Sequence, residues 1–316
     1  MTECERIIKE GILPERFFKP ETICDFYVDE SRKKLWAIQI DLYLEFERVC
    51  KEHNLRYYAI GGTLLGAVRH KGFIPWDDDI DICMPRKDYD ILCNQLYSEF
   101  KSPYFLQTPK TSPGYYISFA KFRNSNTTSI SLPFKNAMFN QGVAIDIFPL
   151  DYSIPEEADE YSERINESIM KCSSYMKRGS EAYLNTRQLE NYKKYQTDDP
   201  LSEFEKLTKL ATRIEKSDYL AVAVCTVYPA KRLVWPADCF ESTVMMDYEN
   251  IKMSVPAGWD QVLKIGFGNY MEFPPVDKRG CWHTGYFLDL DKSYLEYQES
   301  NGGGYKQCVL DAIYRK

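Results

Sequence analysis

The chain has 316 residues, of which 44% are hydrophobic, 15% aromatic and 28% charged, and its formal net charge is −7. This composition is typical of a folded globular protein, and the acidic balance excludes a general nucleic-acid binder because too few basic side chains are available to neutralise phosphates. The charged N-terminus does not have the pattern of a signal peptide, and the ten cysteines show no paired spacing. The longest apolar stretch, 219–228, is too short to span a bilayer, so we expect a cytoplasmic protein with reduced cysteines.

Hydrophobic periodicity predicts helices and strands in mixed order along the chain. The predicted helices, which carry apolar residues at helical spacing or dense charge, are 31–54, 63–72, 86–100, two or three within 155–217, and one within 255–275. The predicted strands, which are short apolar or alternating runs, are 55–60, 79–84, 115–124 and 142–151. This order predicts an α+β fold in which a small mixed sheet is flanked by helices. We place a domain boundary after residue 152, so that residues 1–152 form a core with an N-terminal helix and residues 153–316 form an α-rich region packed on it, contributing to the substrate cleft.

Residues 75–83, PWDDDIDIC, place four aspartates within five positions. Because residues two apart in a strand share a face, Asp79 and Asp81 are expected side by side, while the intervening isoleucines face the core. Paired carboxylates of this kind suit Mg²⁺ or Mn²⁺ that bridges phosphate oxygens. Asp77 and Asp78 precede the strand and are interpreted as turn formers. The alternative for the whole segment is a solvated acidic turn.

Asp146 is the only charge in a run that otherwise has the pattern of a buried strand. A buried charge is costly unless it is paired or bound to a metal. If this strand lies beside the one that carries Asp79 and Asp81, three carboxylates converge and could hold divalent ions for phosphoryl or nucleotidyl transfer. The alternative is a structural ion pair between Asp146 and Lys121 or Arg123.

Gly61, Gly62 and Thr63 stand between a predicted strand and a predicted helix, with Thr63 as the candidate helix cap. Free backbone amides at such a helix start favour an anion, although the segment matches neither a P-loop nor a dinucleotide-binding fingerprint. A tight turn is the alternative. The local cations that a polyphosphate would require are Arg69, His70, Lys71, Lys121 and Arg123. Taken singly, each of these is also explained as a solvated surface charge.

Residues 60–89 closely resemble the signature of the LicD family, which includes bacterial phosphocholine transferases and is related to the fukutin-type transferases. The resemblance continues through 119–130 and 143–151 and is weaker over 248–283. It implies a nucleotidyltransferase-like core. Two positions depart from the family pattern, namely Phe267, where Tyr is commoner, and Asn250, where Gly is commoner.

The resemblance also implies roles for residues in the matching blocks. The implied active-site residues are Gly61, Gly62, Asp79, Asp81 and Asp146. The implied contacts to donor phosphates come from Lys121, Arg123 and Thr127, with Thr63, Arg69 and Lys71 near the glycine pair. Arg279 and His283 match the C-terminal basic stretch of the family, where they would face donor or acceptor.

The implied reaction is transfer of a phospho-alcohol, such as phosphocholine, from a CDP-activated donor such as CDP-choline. The acceptor would be a hydroxyl of a cell-surface glycan or glycolipid precursor, such as lipopolysaccharide or teichoic acid, reached by peripheral contact with the cytoplasmic face of the membrane. Asp79 and Asp81 would hold Mg²⁺ or Mn²⁺ on the donor diphosphate, and Asp146 would complete the metal site and help to deprotonate the acceptor. The many aromatic rings could cage a quaternary ammonium group.

Two alternatives remain open at this point. One is a nucleotidyltransferase that moves a nucleoside monophosphate from a nucleoside triphosphate to a small molecule or protein. The other is a non-catalytic metal- or nucleotide-binding protein of the same fold. The identity of the donor separates the two enzymes, and the intact Asp79, Asp81 and Asp146 argue against the binding protein.

Overall fold

The computed structural model describes residues 1–225, 230–280, 286–299 and 304–309. The helices of these ranges are α1 Glu3–Lys9, α2 Glu30–Glu52, α3 Gly61–Arg69, α4 Arg86–Ile91, α5 Ala158–Met176, α6 Thr186–Lys194, α7 Pro200–Ala211 and α8 Trp259–Phe267. The strands are β1 Glu21–Ile23, β2 Phe26–Val28, β3 Tyr58–Ala59, β4 Asp81–Pro85, β5 Tyr104–Gln107, β6 Ala120–Asn124, β7 Thr128–Ser131, β8 Val143–Tyr152, β9 Tyr219–Ala221, β10 Val234–Pro236, β11 Thr243–Tyr248, β12 Ile251–Pro256 and β13 Tyr286–Asp289.

In the part of the chain that is described, seven strands form one mixed sheet around the long strand β8. On one side β8 pairs in parallel with β4, which pairs in turn with β3. On the other side the first half of β8 pairs with β6, and its end pairs with β9, both antiparallel. The outer strands β5 and β10 complete the sheet, while β1–β2, β11–β12 and β7–β13 form separate two-stranded pairs.

Helix α2 covers the sheet and carries much of the core. Asp29 caps its start by accepting a hydrogen bond from the backbone amide of Arg32 at 2.8 Å, as expected for an acidic N-cap. Along the helix, apolar residues at spacings of three and four bury one broad stripe. Within that stripe Trp36 is fully buried and stacks on Phe73, with ring centroids 4.6 Å apart. This stacking fixes the helix against the loop that precedes β4.

The predicted α+β class is confirmed, and the long first helix, the strand–helix–strand order and three helices within 155–217 are all present. The predicted helix 86–100 is α-helical only as far as Ile91 and continues as a π-helical turn over Leu92–Leu96. The sheet continues beyond the predicted boundary at residue 152, because β9 and β10 extend it. Among the described helices, none combines the length and apolar character needed to cross a membrane.

Several strands were not predicted, and they share a physical cause. Most of the missed strands have three or four residues, which is too short for a two-residue period to stand out from the surrounding loops. The hairpin β11–β12 is longer, but its first strand is mostly exposed and so lacks a buried apolar face. The predicted strand 115–124 is shortened to β6 because its first half is irregular.

Candidate active site

The site begins at the entry to α3, where the chain turns from β3 into the helix. Gly61 has a φ of +58°, a left-handed conformation that glycine adopts without strain. The helix starts at Gly61 with Ile60 as its N-cap and has no side-chain cap, so the prediction that Thr63 caps it is wrong. Thr63 lies buried in the first turn, and its hydroxyl accepts a hydrogen bond from the backbone amide of Asp81 at 2.8 Å. The threonine therefore ties the start of α3 to the start of β4.

Strand pairing brings two of the predicted acids and one predicted cation together. Asp81 on β4 lies opposite Asp146 on β8, and Lys121 on β6 also lies opposite Asp146. Residues paired across neighbouring strands share a face, so the three side chains stand in a row. The expectation that the two acidic strands are neighbours is confirmed. The ion pair between Lys121 and Asp146, left open as an alternative, is present as well.

Two aspartates pack against the glycine pair at the start of α3. A Cβ atom on Gly61 would lie 3.3 Å from Oδ2 of Asp81, and a Cβ atom on Gly62 would lie 2.4 Å from Oδ2 of Asp77. The second distance is far shorter than a carbon–oxygen contact allows, so Asp77 can take this position only because residue 62 has no side chain. The glycine pair thus lets carboxylates approach the amide end of a helix, where negative charge is favoured.

Asp77, Asp78 and Asp79 are the described carboxylates that converge closely enough for one ion, with one oxygen of each within 4.8 Å of the others. Asp77 also acts as a turn former, because its Oδ1 accepts a hydrogen bond from the amide of Asp78 at 3.1 Å. The predicted division between turn formers and ligands is therefore too sharp. Strand β4 begins at Asp81, so Asp79 lies in the turn before the strand, where it meets Asp77 and Asp78 and remains a charged neighbour of Asp81.

The electrostatics of Asp81 reflect the close gathering of carboxylates around it. Burial raises its pKa well above the usual value, and the neighbouring Asp79, Asp146 and Asp77 raise it further, while Lys121 acts in the opposite direction. Several carboxylates that share a site cannot all ionise at low cost unless a cation lies among them. Hard oxygen ligands of this kind fit Mg²⁺ or Mn²⁺.

Three side chains on one face of α2 hold the acidic turn by its backbone, and the sequence analysis missed them. Arg32 and Trp36 both donate to the carbonyl oxygen of Asp77, at 2.8 and 3.1 Å. Gln39 donates to the carbonyl oxygen of Asp78 at 2.8 Å. Spacings of four and three residues place these donors on the same side of the helix. The available signal was the presence of polar donors within the otherwise apolar stripe of α2.

Gln39 also links the acidic turn to the strand that carries Asp146. Its Nε2 donates both to Asp78 and, at 3.4 Å, to the carbonyl oxygen of Ala144. Since both neighbours are acceptors, the amide orientation is determined. The side chain is only 3% exposed, and within the described ranges its Oε1 has no hydrogen-bond partner. A single buried amide thus sets the spacing between the two acidic segments.

Three cavities surround the acids, and each is named by its lining. The basic cavity, about 320 Å³, is lined by Asp79, Lys121, Arg123, Asp146 and Tyr286, among others. It lies between α2 and the strands β6, β8 and β13. With Asp78, which also belongs to the lining, it therefore combines three acids with two cations.

The other two cavities open on the side of the glycine pair. The rim cavity, about 700 Å³, includes Gly62, Arg69, Trp76, Asp81 and Phe273 in its lining. The apolar cavity, about 300 Å³, is lined mainly by aliphatic and aromatic side chains of β8, β10 and α8, and reaches Gly61 and Asp81. Asp81 is thus shared by the rim and apolar cavities, and the acids stand at the junction of three spaces.

Arg123 is a buried cation in the wall of the basic cavity. It is 7% exposed, and its Nε and Nη1 donate to Oε1 of Gln107 and the carbonyl oxygen of Gly142, both at 2.5 Å. Among the residues described, no carboxylate forms an ion pair with it, and burial lowers its pKa. A guanidinium buried without a carboxylate partner beside a cavity is suited to an anionic ligand.

The remaining predicted cations have different surroundings. Arg69 donates to the carbonyl oxygens of Tyr270 and Glu272, at 2.7 and 3.1 Å, and lines the rim cavity. Burial and the nearby Arg69 lower the pKa of His70 to about 4, so its interpretation as a local cation is wrong near neutral pH. Lys71 is exposed at the end of α3 and lines none of the three cavities.

Two further residues that were predicted to contact the substrates, Thr127 and His283, do not line these cavities or lie outside the described residues. Thr127 is fully buried, and its hydroxyl donates to the carbonyl oxygen of Asn124 and accepts from the amide of Val143. This engagement gives Thr127 a structural role in the loop before β7. His283 lies outside the described residues, whereas Arg279 places its guanidinium 5.1 Å from the ring of Trp76 at the rim cavity.

Comparisons with known proteins cover the part of the chain that carries these acids. Residues 54–167 match the family model described as LicD/FKTN/FKRP, nucleotidyltransferase domain. The lipopolysaccharide cholinephosphotransferase LicD of Haemophilus influenzae is 26% identical over 75% of this chain and 90% of its own length. Two uncharacterized proteins, from Rickettsia typhi and Rickettsia prowazekii, are 39% and 46% identical over 22% of this chain, corresponding to 22% and 26% of their lengths. Over residues 54–167 the chain is therefore similar to the nucleotidyltransferase domain of the LicD/FKTN/FKRP family.

Proposed function

We propose that this protein transfers phosphocholine, or a closely related phospho-alcohol, from a CDP-activated donor to a hydroxyl group of a cell-surface glycan. The observation that carries the proposal is the cluster of Asp77, Asp79, Asp81 and Asp146 at the start of α3, with Lys121 and Arg123 beside it. Carboxylates for a divalent ion and cations for phosphate oxygens, placed together, suit chemistry at a diphosphate. The relative from Haemophilus influenzae, named as a lipopolysaccharide cholinephosphotransferase, supports the choice of alcohol and acceptor.

The carboxylates fit a Mg²⁺ or Mn²⁺ ion. Asp77, Asp78 and Asp79 offer three converging oxygens, and Asp81 lies beside them with a raised pKa that a cation would lower. When bound, the ion supplies charge neutralisation at the donor diphosphate. Asp146, for which the family resemblance implies a place in the metal site, forms an ion pair with Lys121 and is proposed to act at the edge of that site.

The protein's own groups bind the donor and handle the proton of the acceptor. Lys121 and Arg123 lie on the wall of the basic cavity, where they are placed to hold donor phosphate oxygens. The acceptor oxygen forms a bond to phosphorus as the bond between phosphorus and the CMP oxygen breaks. Lys121 contacts Oδ1 of Asp146, so Oδ2 is the oxygen that we assign to accept the hydroxyl proton. Positioning and charge complementarity carry the remainder of the rate acceleration.

The edge of the site supports a lipid-linked acceptor. Large apolar side chains are exposed along one short segment that borders the rim cavity, namely Phe267, Met271, Phe273 and Val276. Contiguous exposed apolar surface marks a contact site more often than a bare solvent face. We therefore propose that a glycolipid precursor reaches the acids from this edge, with the protein in peripheral contact with the membrane.

A donor panel tests the proposed reaction. We expect the protein, with Mg²⁺ and lipopolysaccharide, to release CMP from CDP-choline and to transfer labelled choline to the glycan, whereas nucleoside triphosphates should give no pyrophosphate. The measurement is CMP and pyrophosphate release resolved by chromatography. Release of pyrophosphate with labelled nucleotide on an acceptor would identify a nucleotidyltransferase instead. If the protein cleaves none of the donors, the remaining hypothesis is a non-catalytic binding protein.

Gln39 provides a second test that does not depend on turnover. We expect Gln39→Leu, which removes both hydrogen bonds at similar volume, to weaken Mn²⁺ binding by about tenfold, as is typical when a residue that orients ligands is lost. Calorimetric titration with Mn²⁺ gives this affinity directly. The matched control is Gln196→Leu on the exposed surface, for which no change in affinity is expected. A folded Gln39→Leu protein with unaltered Mn²⁺ affinity would contradict the role of the α2 donors.

A further inference from the structure

The three cavities differ in the charge of the ligand group that each one favours. This difference indicates which part of the donor each cavity would bind. In the rim cavity two aromatic rings, those of Trp76 and Phe273, are already covered by cations. The guanidinium of Arg69 lies 4.9 Å from the ring of Phe273, and that of Arg279 lies 5.1 Å from the ring of Trp76. These two ring faces are therefore not available to a quaternary ammonium group, whereas Phe267, which lines both the rim cavity and the apolar cavity, has no lysine or arginine over its ring in the described ranges.

The basic cavity also disfavours a cationic ligand at its rings. Lys121 lies 5.3 Å from the ring of Phe119, and Arg123 is buried in the same wall without a described carboxylate partner. These charges suit phosphate oxygens. The same cavity offers hydrogen-bonding side chains, including Gln141 and Tyr286, which a trimethylammonium group cannot use because it has no N–H donor.

The apolar cavity has the opposite character. Its walls include the rings of Phe148, Trp235 and Phe267, and within the described ranges no lysine or arginine lies over any of these three rings. Trp235 is 3% exposed, and its Nε1 donates to the carbonyl oxygen of Val262 at 3.2 Å, which fixes the indole in place. Arg232, the cation in the lining, is exposed, so its charge is solvated.

Asp81 makes this cavity electrostatically asymmetric. Its carboxylate belongs to the lining, and it stands in the acidic cluster where the donor's phosphorus would be held. A group attached through a short alcohol to that phosphorus can therefore enter the apolar cavity while remaining close to negative charge. Aromatic walls next to a carboxylate are the usual surroundings of a bound quaternary ammonium.

We propose that the apolar cavity, lined by Phe148, Trp235 and Phe267 and bordered by Asp81, receives the trimethylammonium group of the donor and selects choline over alcohols that form hydrogen bonds. This inference rests on the proposed function. A primary ammonium or hydroxyl head group would lose several hydrogen bonds to water in such a cavity and would find few partners beyond the Asp81 carboxylate to replace them, whereas trimethylammonium has none to lose. The selectivity thus follows from the lining rather than from a specific hydrogen bond.

The test compares two donors on matched variants of the full chain. Phe267 is half exposed at the end of α8, so Phe267→Ala is expected to leave the protein folded. We expect it to raise the KM for CDP-choline by about tenfold, the loss of one cation–π contact, while changing the KM for CDP-ethanolamine less than about twofold. Trp235→Leu should shift the preference in the same direction. Phe273→Ala, in the rim cavity, should not alter the ratio of the two KM values.

A binding measurement without turnover keeps the inference testable if a variant loses activity. Tetramethylammonium chloride is expected to raise the melting temperature of the unaltered protein, and Phe267→Ala should abolish that increase. Equal changes in KM for both donors, or an undiminished response to tetramethylammonium, would overturn the choline cavity and leave the proposed function intact. Absence of CMP release from either donor by the unaltered protein would overturn the proposed function, and this inference with it.

Discussion

Asp81→Asn is expected to reduce phospho-alcohol transfer by on the order of 10³-fold, because one carboxylate at the centre of the charge-stabilising cluster is lost. The same change should leave the melting temperature of the metal-free protein unaltered or higher at pH 7. Burial and three neighbouring aspartates raise the pKa of Asp81, so its ionised form destabilises the fold at neutral pH when no cation is present. Asparagine keeps the shape and removes the charge. Activity assays and thermal melts in EDTA provide the two measurements.

Opposite effects on activity and stability distinguish a functional carboxylate from a structural one. Asp247→Asn serves as the control, because Asp247 is exposed on β11 and pairs only at the surface with Lys252. We expect no effect of this change on transfer. The increase in melting temperature produced by Mg²⁺ should shrink in Asp81→Asn and persist in the control. A metal-free Asp81→Asn protein that is clearly less stable than the unaltered chain would show that Asp81 is a structural residue.

Asp151→Ala is expected to lower the free energy of unfolding by about 3–5 kcal/mol, the usual effect of removing one partner of a buried ion pair. Arg86 donates from Nε to Oδ1 of Asp151 at 2.7 Å and from Nη2 to Oδ2 at 2.8 Å. Asp151 is 2% exposed, so its loss would leave a largely buried guanidinium without its carboxylate. Because Arg86 directly follows β4 and Asp151 lies one residue before the end of β8, the pair joins the two strands that carry Asp81 and Asp146. Urea denaturation gives the free energy.

The same arginine supplies the control for this prediction. Oδ1 of Asp90 lies 3.5 Å from Nη1 of Arg86, but Asp90 is exposed. Asp90→Ala should therefore change the free energy of unfolding by no more than about 1 kcal/mol. A double-mutant cycle that adds Arg86→Met should show a large coupling energy between Arg86 and Asp151, with the double variant less destabilised than the sum of the single changes. Equal effects of Asp90→Ala and Asp151→Ala would contradict the assignment of Asp151 as the main partner.

The local features of the site could be predicted from the sequence because each depends on residues close together in the chain. The helical spacing of residues 31–54 gave α2, and the alternation at residues 79–84 placed Asp81 on a strand directed away from the core. Asp146 stood out as one charge in an apolar run. The block of residues 60–89 was specific enough to indicate the family before any geometry was known. The family indication rests on the resemblance of that block to a known signature, whereas the other inferences need only chain periodicity and the cost of burying charge.

Only the tertiary structure shows which side chains of the site are neighbours in space. A two-residue period shows which face a side chain takes but not which strand lies beside it, so the sequence could not choose between a metal ligand and a partner of Lys121 for Asp146. The hydrogen bonds of Gln39 reach Asp78, 39 residues further along the chain, and Ala144, 105 residues further along. No local sequence pattern predicts such long-range pairs.

The acidic turn shows the same division most clearly. The sequence determined that four aspartates stand in residues 77–81, and its spacing separated turn formers from ligands. The fold packs Asp77 against Gly62 and brings Asp77, Asp78 and Asp79 together. That outcome depends on where α2 and α3 meet the turn, because donors and glycines distant in the chain set the path of its backbone. Composition and spacing fixed which residues carry charge, whereas long-range packing decided which of those charges meet.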